Sequence, residues 1–511
     1  MRIEWQEQKL GPVLLILAIL AIGIILGQLI TGFSFRIALA LIFFSIILII
    51  TLVNTDAGLA ILIFSMLFSP EIILGQIPGR DIVVRLDDIL LAIITVSWFA
   101  KTAINKGLAL FIKTPLNRPI IVYILVCLVA TLKGAAQGHV SFLKGFFFLL
   151  RYFEYFLLYI LVANHVHSKK QIKFFLNAFF LTCAVVSVYG ILQIPRGVRV
   201  SAPFEGEVGE PNTFGGYLLF LFCIAVGIFL HNMSKRTKYA MSGLAVLIFI
   251  PFLFTLSRAS YLAIIFSYIT FILFQKRRTA LIAVLAMIIV SVLVLRPEAV
   301  FSRVKYTFSG AQSQLVKVGD VRLDSSSSAR IKSWQQSFED WKRNPILGRG
   351  VSGYGFIDGQ YIVNLVETGV IGLFAFLWLL WSIYKHSLKI HREMHDELYK
   401  GLTLGFFAGF IGLLIHSLTA NTFIIIRIME PFWFMAALVM ILPQIEEKEG
   451  VEVGVEEEEK GKEMDEQDTQ KTAEEKQAVI EFSFHKASGL KEILSSVSSN
   501  LESLFTIEKW R

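Results

Sequence analysis

Two arginines stand at the ends of long apolar runs. Arg199 follows the run 174–194, and Arg258 sits in the tight turn between the runs 240–256 and 259–274. A guanidinium presents a rigid fork of donors that suits phosphate oxygens. Either arginine alone also reads as an anchor whose stem snorkels along apolar surface. The stretch 297–360 adds nine Lys and Arg, among them Arg330, against six acids, the last of them Asp358. A basic surface at the same end as two forked cations predicts a cavity for an anionic ligand, phosphate first. The bland counterpart is a solvated loop with incidental charge.

Charges inside apolar runs are costly and tend to be paired or functional. Arg151 and Glu154 are three apart in one run, and Arg427 and Glu430 repeat that spacing in another. Each pair shares a helix face, so it reads as a self-neutralised packing pair or as the polar lining of a cavity. The segment Gly348–Gly355, GRGVSGYG, lacks the Lys–Ser/Thr of a phosphate-cradling loop and reads as a turn-rich approach to the next run. Cys127, Cys183 and Cys223 all lie in apolar segments, with neither metal spacing nor a disulfide framework. The histidines are scattered, and no HExxH, GxSxG or CxxC pattern occurs.

These residues need a scaffold, and the composition names it. Of 511 residues, 55% are hydrophobic and 17% charged, which leaves too little polar surface for a soluble chain. Runs near 20 residues recur, the length that crosses a hydrocarbon core of roughly 30 Å. Fourteen spans are expected, at 11–31, 37–53, 57–69, 87–100, 119–132, 146–163, 174–194, 213–230, 240–256, 259–274, 279–296, 361–384, 401–419 and 423–442. The third and fourth are short enough to be tilted or re-entrant. The first, with Arg2 and Lys9 ahead of it, is too long for a signal h-region and reads as a retained anchor. The fold class is therefore an all-α polytopic membrane protein, with about 12–14 transmembrane helices and one large extracytoplasmic loop.

Lys and Arg crowd alternate short loops: 101–118, 169–173, 235–238, 276–278 and 385–400. The positive-inside rule puts these loops, and both termini, in the cytoplasm. The opposite face then carries the loop 195–212, the Ser257–Arg258 turn and the loop at about 297–360. Within that large loop Ile331, Trp334, Phe338 and Trp341 recur at helical spacing, predicting an amphipathic helix at headgroup depth. Beyond the membrane domain 1–443, the acidic stretch 444–482 reads as a solvated, disordered cytoplasmic linker. Residues 483–511 read as an amphipathic helix that docks on the membrane or on a partner. Nothing points to nucleic acid.

Four stretches together resemble the O-antigen ligase and polymerase family of bacterial envelope enzymes. They are Arg199–Phe204 with Glu210–Gly215, then Thr255–Ser260, then Arg330–Trp334 with Asn344–Gly350, and finally Asp358–Tyr361 with Asn364–Gly369. Each is a weak motif alone. Their order and topology fit the family over about 120–440. Aligned on Glu367 and Gly369, the position that carries a His in the ligases is Asp358 here. A carboxylate is an intrinsically weaker base than an imidazole, so the departure puts the ligase reaction in doubt and leaves polymerisation open.

The resemblance implies a donor glycan on undecaprenyl diphosphate and a glycan, lipid or protein acceptor. It assigns Arg199, Arg258 and Arg330 to the diphosphate and Asp358 to the acceptor hydroxyl. Glu367 is as well read as a helix-start carboxylate as a catalytic one. With arginines doing the charge work the reaction needs no metal or other cofactor, and no DxD-type motif is present. Direct attack on the anomeric carbon would invert it. The rival function is a transporter or flippase of lipid-linked glycans. It calls for an internal repeat and for broken helices at the midplane, and no repeat is visible.

Overall fold

Backbone in hydrocarbon must satisfy its hydrogen bonds within its own segment, so apolar runs of this length become helices. In the computed structural model they do. The structure describes residues 35–77, 80–104, 112–205, 209–231, 234–275, 317–318, 321–322, 325–355 and 357–505. Two expected spans, 11–31 and 279–296, lie outside them, as does much of the large basic loop.

The other twelve expected spans fall on helices. These are α1 (Phe35–Val53), α2 (Thr55–Phe68), α3 (Leu86–Ile104), α4 (Asn117–Ala136), α5 (Phe142–His165) and α6 (Lys169–Gln193). Then come α7 (Pro211–Phe229), α8 (Lys235–Phe254), α9 (Arg258–Phe274), α11 (Gln360–Glu393), α12 (Glu397–His416) and a helix that begins at Ile426. Helix α10 (Ser325–Trp341) belongs to the large loop. Among the described residues eight helices are long and apolar enough to cross a membrane, and α2 and α9 are shorter apolar helices. The protein is an all-α polytopic membrane protein.

Two small antiparallel hairpins interrupt the helices among the described residues. Strands β1 (Glu71–Ile77) and β2 (Arg80–Arg85) pair between α2 and α3, and a two-residue pair joins Lys317–Val318 to Val321–Arg322.

The centre of the bundle is the contact of α7 with α12. Gly401, Gly405 and Gly409 repeat every four residues on α12. A Cβ on Gly405 would meet the Ile224 Cα at 2.6 Å, so the two backbones touch. Such small-residue seams substitute for the hydrophobic driving force that lipid does not supply. Around the seam Phe406, Phe410, Phe423 and Trp433 pack on Phe432.

Helix α11 is broken at Gly369 (φ 67°, ψ −168°). The break frees carbonyls upstream and amides downstream, and the loop 345–352 takes both. Arg349 N donates to Val366 O at 3.0 Å and Gly350 N to Glu367 O at 2.7 Å. In return Val370 N donates to Pro345 O at 2.9 Å. A side chain at Gly369 would strike Ile346 O at 2.2 Å, and one at Gly348 would strike the Glu367 carbonyl at 2.5 Å. The turn-rich GRGVSGYG segment is therefore a backbone splice. Trp334 and Trp341 of α10 pack on Ile357, Val363 and Val366, so both face the protein. Headgroup depth is where the sequence puts them.

The chain divides into two compact units, Met1–Pro443 and Gln444–Arg511. In the second, residues 444–505 are helical. The composition of 444–482 predicts disorder, but its Glu, Lys, Gln and Ala are also strong helix formers. Glu456 and Lys460, like Glu458 and Lys462, stand four apart in the sequence, a spacing that favours helix.

Candidate active site

All the segments of interest meet at one end of the bundle: the β1–β2 hairpin, the starts of α5, α7, α9 and α11, and the chain around 420–427. Among the described residues, the Lys- and Arg-rich loops at 169–173 and 385–400 meet at the other end, where Lys169 pairs with Asp396.

Arg199 is positioned by the end of α6. There Gln193 brackets Ser201, its Nε2 donating to Ser201 O at 2.8 Å and its Oε1 accepting from Ser201 N at 3.2 Å. Arg199 then donates through Nε to Thr255 O at 3.0 Å and through Nη2 to Leu256 O at 3.4 Å. Leu256 has φ 51°, and Ser257 caps α9 by accepting from Ser260 N at 3.3 Å. Arg258 is the first residue of that helix. The Arg199 stretch and the Ser-Arg turn, far apart in sequence, are one hydrogen-bonded unit.

Arg427 is buried and fastens three segments. It donates to Leu67 O (3.1 Å), Ser69 O (3.3 Å), Pro203 O (2.6 Å) and Phe204 O (3.0 Å). Its Nε lies 3.9 Å from Glu205 Oε1. The i,i+3 spacing pairs Arg427 with Glu430, whereas the fold gives Arg427 to Glu205 and sets Glu430 against Asp87. Burial pushes the Glu205 carboxyl up to about 7, with Arg427 opposing. Arg85 pairs with Asp87 at 2.8 Å and donates to Met66 O at 2.8 Å. Glu154 neighbours Asp88 and Asp87, with Arg151 as a nearby cation.

Asp358 lies one residue before the Gly359 N-cap of α11, and no side chain caps that helix. Arg330 Nε donates to Asp358 Oδ2 at 2.8 Å, and Trp334 Nε1 donates to the Asp358 carbonyl at 2.5 Å. Asn421 holds the backbone on both sides, its Nδ2 donating to Ile357 O at 2.7 Å and its Oδ1 accepting from Gly359 N at 3.1 Å. Among the described residues Asp358 Oδ1 has no hydrogen-bond partner.

Asp358 and Arg199 line the same open cavity of about 450 Å³, together with Arg85, Arg151 and Arg427. Its remaining polar wall includes Glu205, Glu210 and Asn212, and Phe148 and Ile424 supply apolar surface. Arg330 reaches the cavity through Asp358, and Arg258 is not among the lining residues. Arg85 and Asn421 are additions that sequence reasoning missed. A charge between two short apolar runs was the one available signal for Arg85, and Asn421 had none. Glu367 lies elsewhere, nearly buried, and accepts from Ser352 N at 2.9 Å. Among the described residues no group of three or more His, Cys, Asp or Glu is arranged to hold a metal.

Residues 243–377 match the family model described as O-antigen ligase. Over this segment, about a quarter of the chain, the protein is similar to that family. No curated protein matches it. The O-antigen ligase match runs from α8 into α11 and contains Arg258, Arg330, Asp358 and the splice at Gly369. Arg199, Arg85, Arg151 and Asn421 come from outside the matched O-antigen ligase segment, yet the fold brings them to the cavity that Asp358 faces.

Proposed function

We propose that this protein is a membrane glycosyltransferase. It moves a glycan from undecaprenyl diphosphate to an acceptor hydroxyl on the extracytoplasmic face of a bacterial inner membrane. The observation that carries this reading is the convergence of Arg85, Arg151 and Arg199 with Asp358 on one cavity. Three separate segments supply forked cations there, the arrangement that neutralises a diphosphate as its charge develops.

In the proposed step Asp358 Oδ1 accepts the proton of the acceptor hydroxyl. The hydroxyl oxygen attacks the anomeric carbon, and the bond from that carbon to the diphosphate oxygen breaks. The electron pair leaves with undecaprenyl diphosphate, and the anomeric centre inverts. Arg330 holds Asp358 by its other oxygen, so its contribution is to orient the base. Arg199 faces the diphosphate, and Arg258 is its proposed companion from the turn that Arg199 fastens. Ligase and polymerase differ here only in the acceptor.

A transporter would use a broken helix to bind cargo with its freed backbone groups. The break in α11 does not offer that, because the loop 345–352 occupies the groups around Gly369.

The test uses the full-length protein in liposomes with the lipid-linked glycan pool extracted from its host. Release of undecaprenyl diphosphate coupled to longer glycans supports a polymerase, and coupled transfer to a separate acceptor supports a ligase. Translocation of intact lipid-linked glycan without transfer overturns the reading.

A further inference from the structure

A second cavity, of about 410 Å³, adjoins the arginine-lined one. Phe148, Asn421 and Ile424 line both, so they form the wall between them. Asn421 is the side chain that fixes the backbone on either side of Asp358. Asp358 therefore stands on this wall, facing the arginines, while Ile357 beside it faces the second cavity.

The chemistry of the second cavity differs from that of the first. It has no arginine. Tyr152 and Tyr354 supply aromatic faces, His139 and Lys144 supply polar nitrogens, and Glu367 and Ser352 supply oxygens. The Tyr354 ring is held in place, its hydroxyl donating to Asp340 Oδ2 at 2.7 Å and the Arg349 guanidinium lying 5.1 Å from its centroid. Rigid aromatic faces among mixed donors and acceptors suit a polyhydroxylated ring, which offers C–H faces and hydroxyls of both senses. A volume near 400 Å³ is at the lower end for small-ligand sites, roughly 300–1,000 Å³.

We propose that the second cavity binds a sugar ring of the acceptor, so that one of its hydroxyls crosses the Asn421–Ile424 wall to Asp358. This rests on the glycosyltransferase reading, which puts the donor diphosphate in the first cavity. Together the two cavities give an acceptor site and a donor site with the base between them.

The experiment measures two affinities on the full-length protein in nanodiscs. One is capture on an array of free neutral and acidic bacterial oligosaccharides, and the other is binding of undecaprenyl diphosphate. The wild type should capture at least one oligosaccharide, and Tyr354→Ala and Lys144→Ala should each weaken that capture tenfold or more. Both variants should bind undecaprenyl diphosphate as the wild type does, which also reports that they are folded. Arg199→Ala should do the reverse. Lys144→Ala keeps the test sharp should Tyr354→Ala disturb the loop. No capture at all, or capture insensitive to both variants, overturns the acceptor site. Failure of undecaprenyl diphosphate to bind while Tyr354-dependent capture persists sinks the donor assignment and leaves the sugar site standing.

Discussion

Arg330 Nε donates to Asp358 Oδ2 at 2.8 Å, which ties the helix of the large loop to the residue just ahead of α11. Neither partner is fully buried, with 23% and 30% of the side chains exposed, so the pair matters more for direction than for stability. It leaves the other carboxylate oxygen for the acceptor.

Asp358→Asn should lower the rate of transfer about 10²–10⁴-fold, the usual contribution of a general base. Affinity for undecaprenyl diphosphate should not change. Arg330→Ala should lose less, and the double variant should be no slower than Asp358→Asn, because Arg330 acts through Asp358. Steady-state rates of the three variants check this. Additive losses would mean that Arg330 has a separate task.

Gly369→Ala should destabilise the protein by at least about 2 kcal/mol. It places a side chain at positive φ and against Ile346 O at 2.2 Å. Gly243→Ala is the control. Nothing lies within 4 Å of its Cβ position, so it should be neutral or slightly stabilising. Thermal unfolding in detergent reads both, and a Gly369→Ala protein as stable as the control would contradict the splice.

Glu205 makes stability depend on pH. Its folded carboxyl is pushed from an ordinary 4.5 up to about 7, so the folded state holds the proton more tightly. The resulting stabilisation is complete below the unfolded value and is lost as pH rises through the folded one. Between pH 4.5 and about 7 the melting temperature should therefore fall. Glu205→Gln should flatten that part of the profile. An unchanged slope would remove Glu205 as the cause.

Deleting residues 450–511 should leave transfer largely intact, since every residue given a role lies before Pro443. The assay is transfer rate normalised to protein in the membrane. Lost transfer at normal abundance would make the tail part of the enzyme.

The span pattern was legible in the sequence because helix length and hydropathy are local properties. The shared end of Arg199 and Asp358 was legible too, since loops alternate sides. Pairing inside the bundle was not. Arg427 and Glu430 are neighbours on one helix, yet Arg427 found Glu205 and four carbonyls from other segments. Local spacing says nothing of partners brought by the fold. The hairpin Glu71–Arg85 carried a signal that went unread: β-branched runs on either side of Pro78-Gly79, a turn pair outside the described residues. Asn421 carried none, because its role is to hold the backbone around Asp358, and that needs the tertiary structure.

The central claim is that the arginine-lined cavity holds the diphosphate of the donor. The direct measurement is the affinity of undecaprenyl diphosphate for the full-length protein in nanodiscs, compared across wild type, Arg199→Lys and Arg199→Ala. Lysine supplies a point charge without the fork. The account predicts that both variants bind at least tenfold more weakly, with added salt weakening the wild type most. Wild-type affinity in both variants, at any salt, would contradict it.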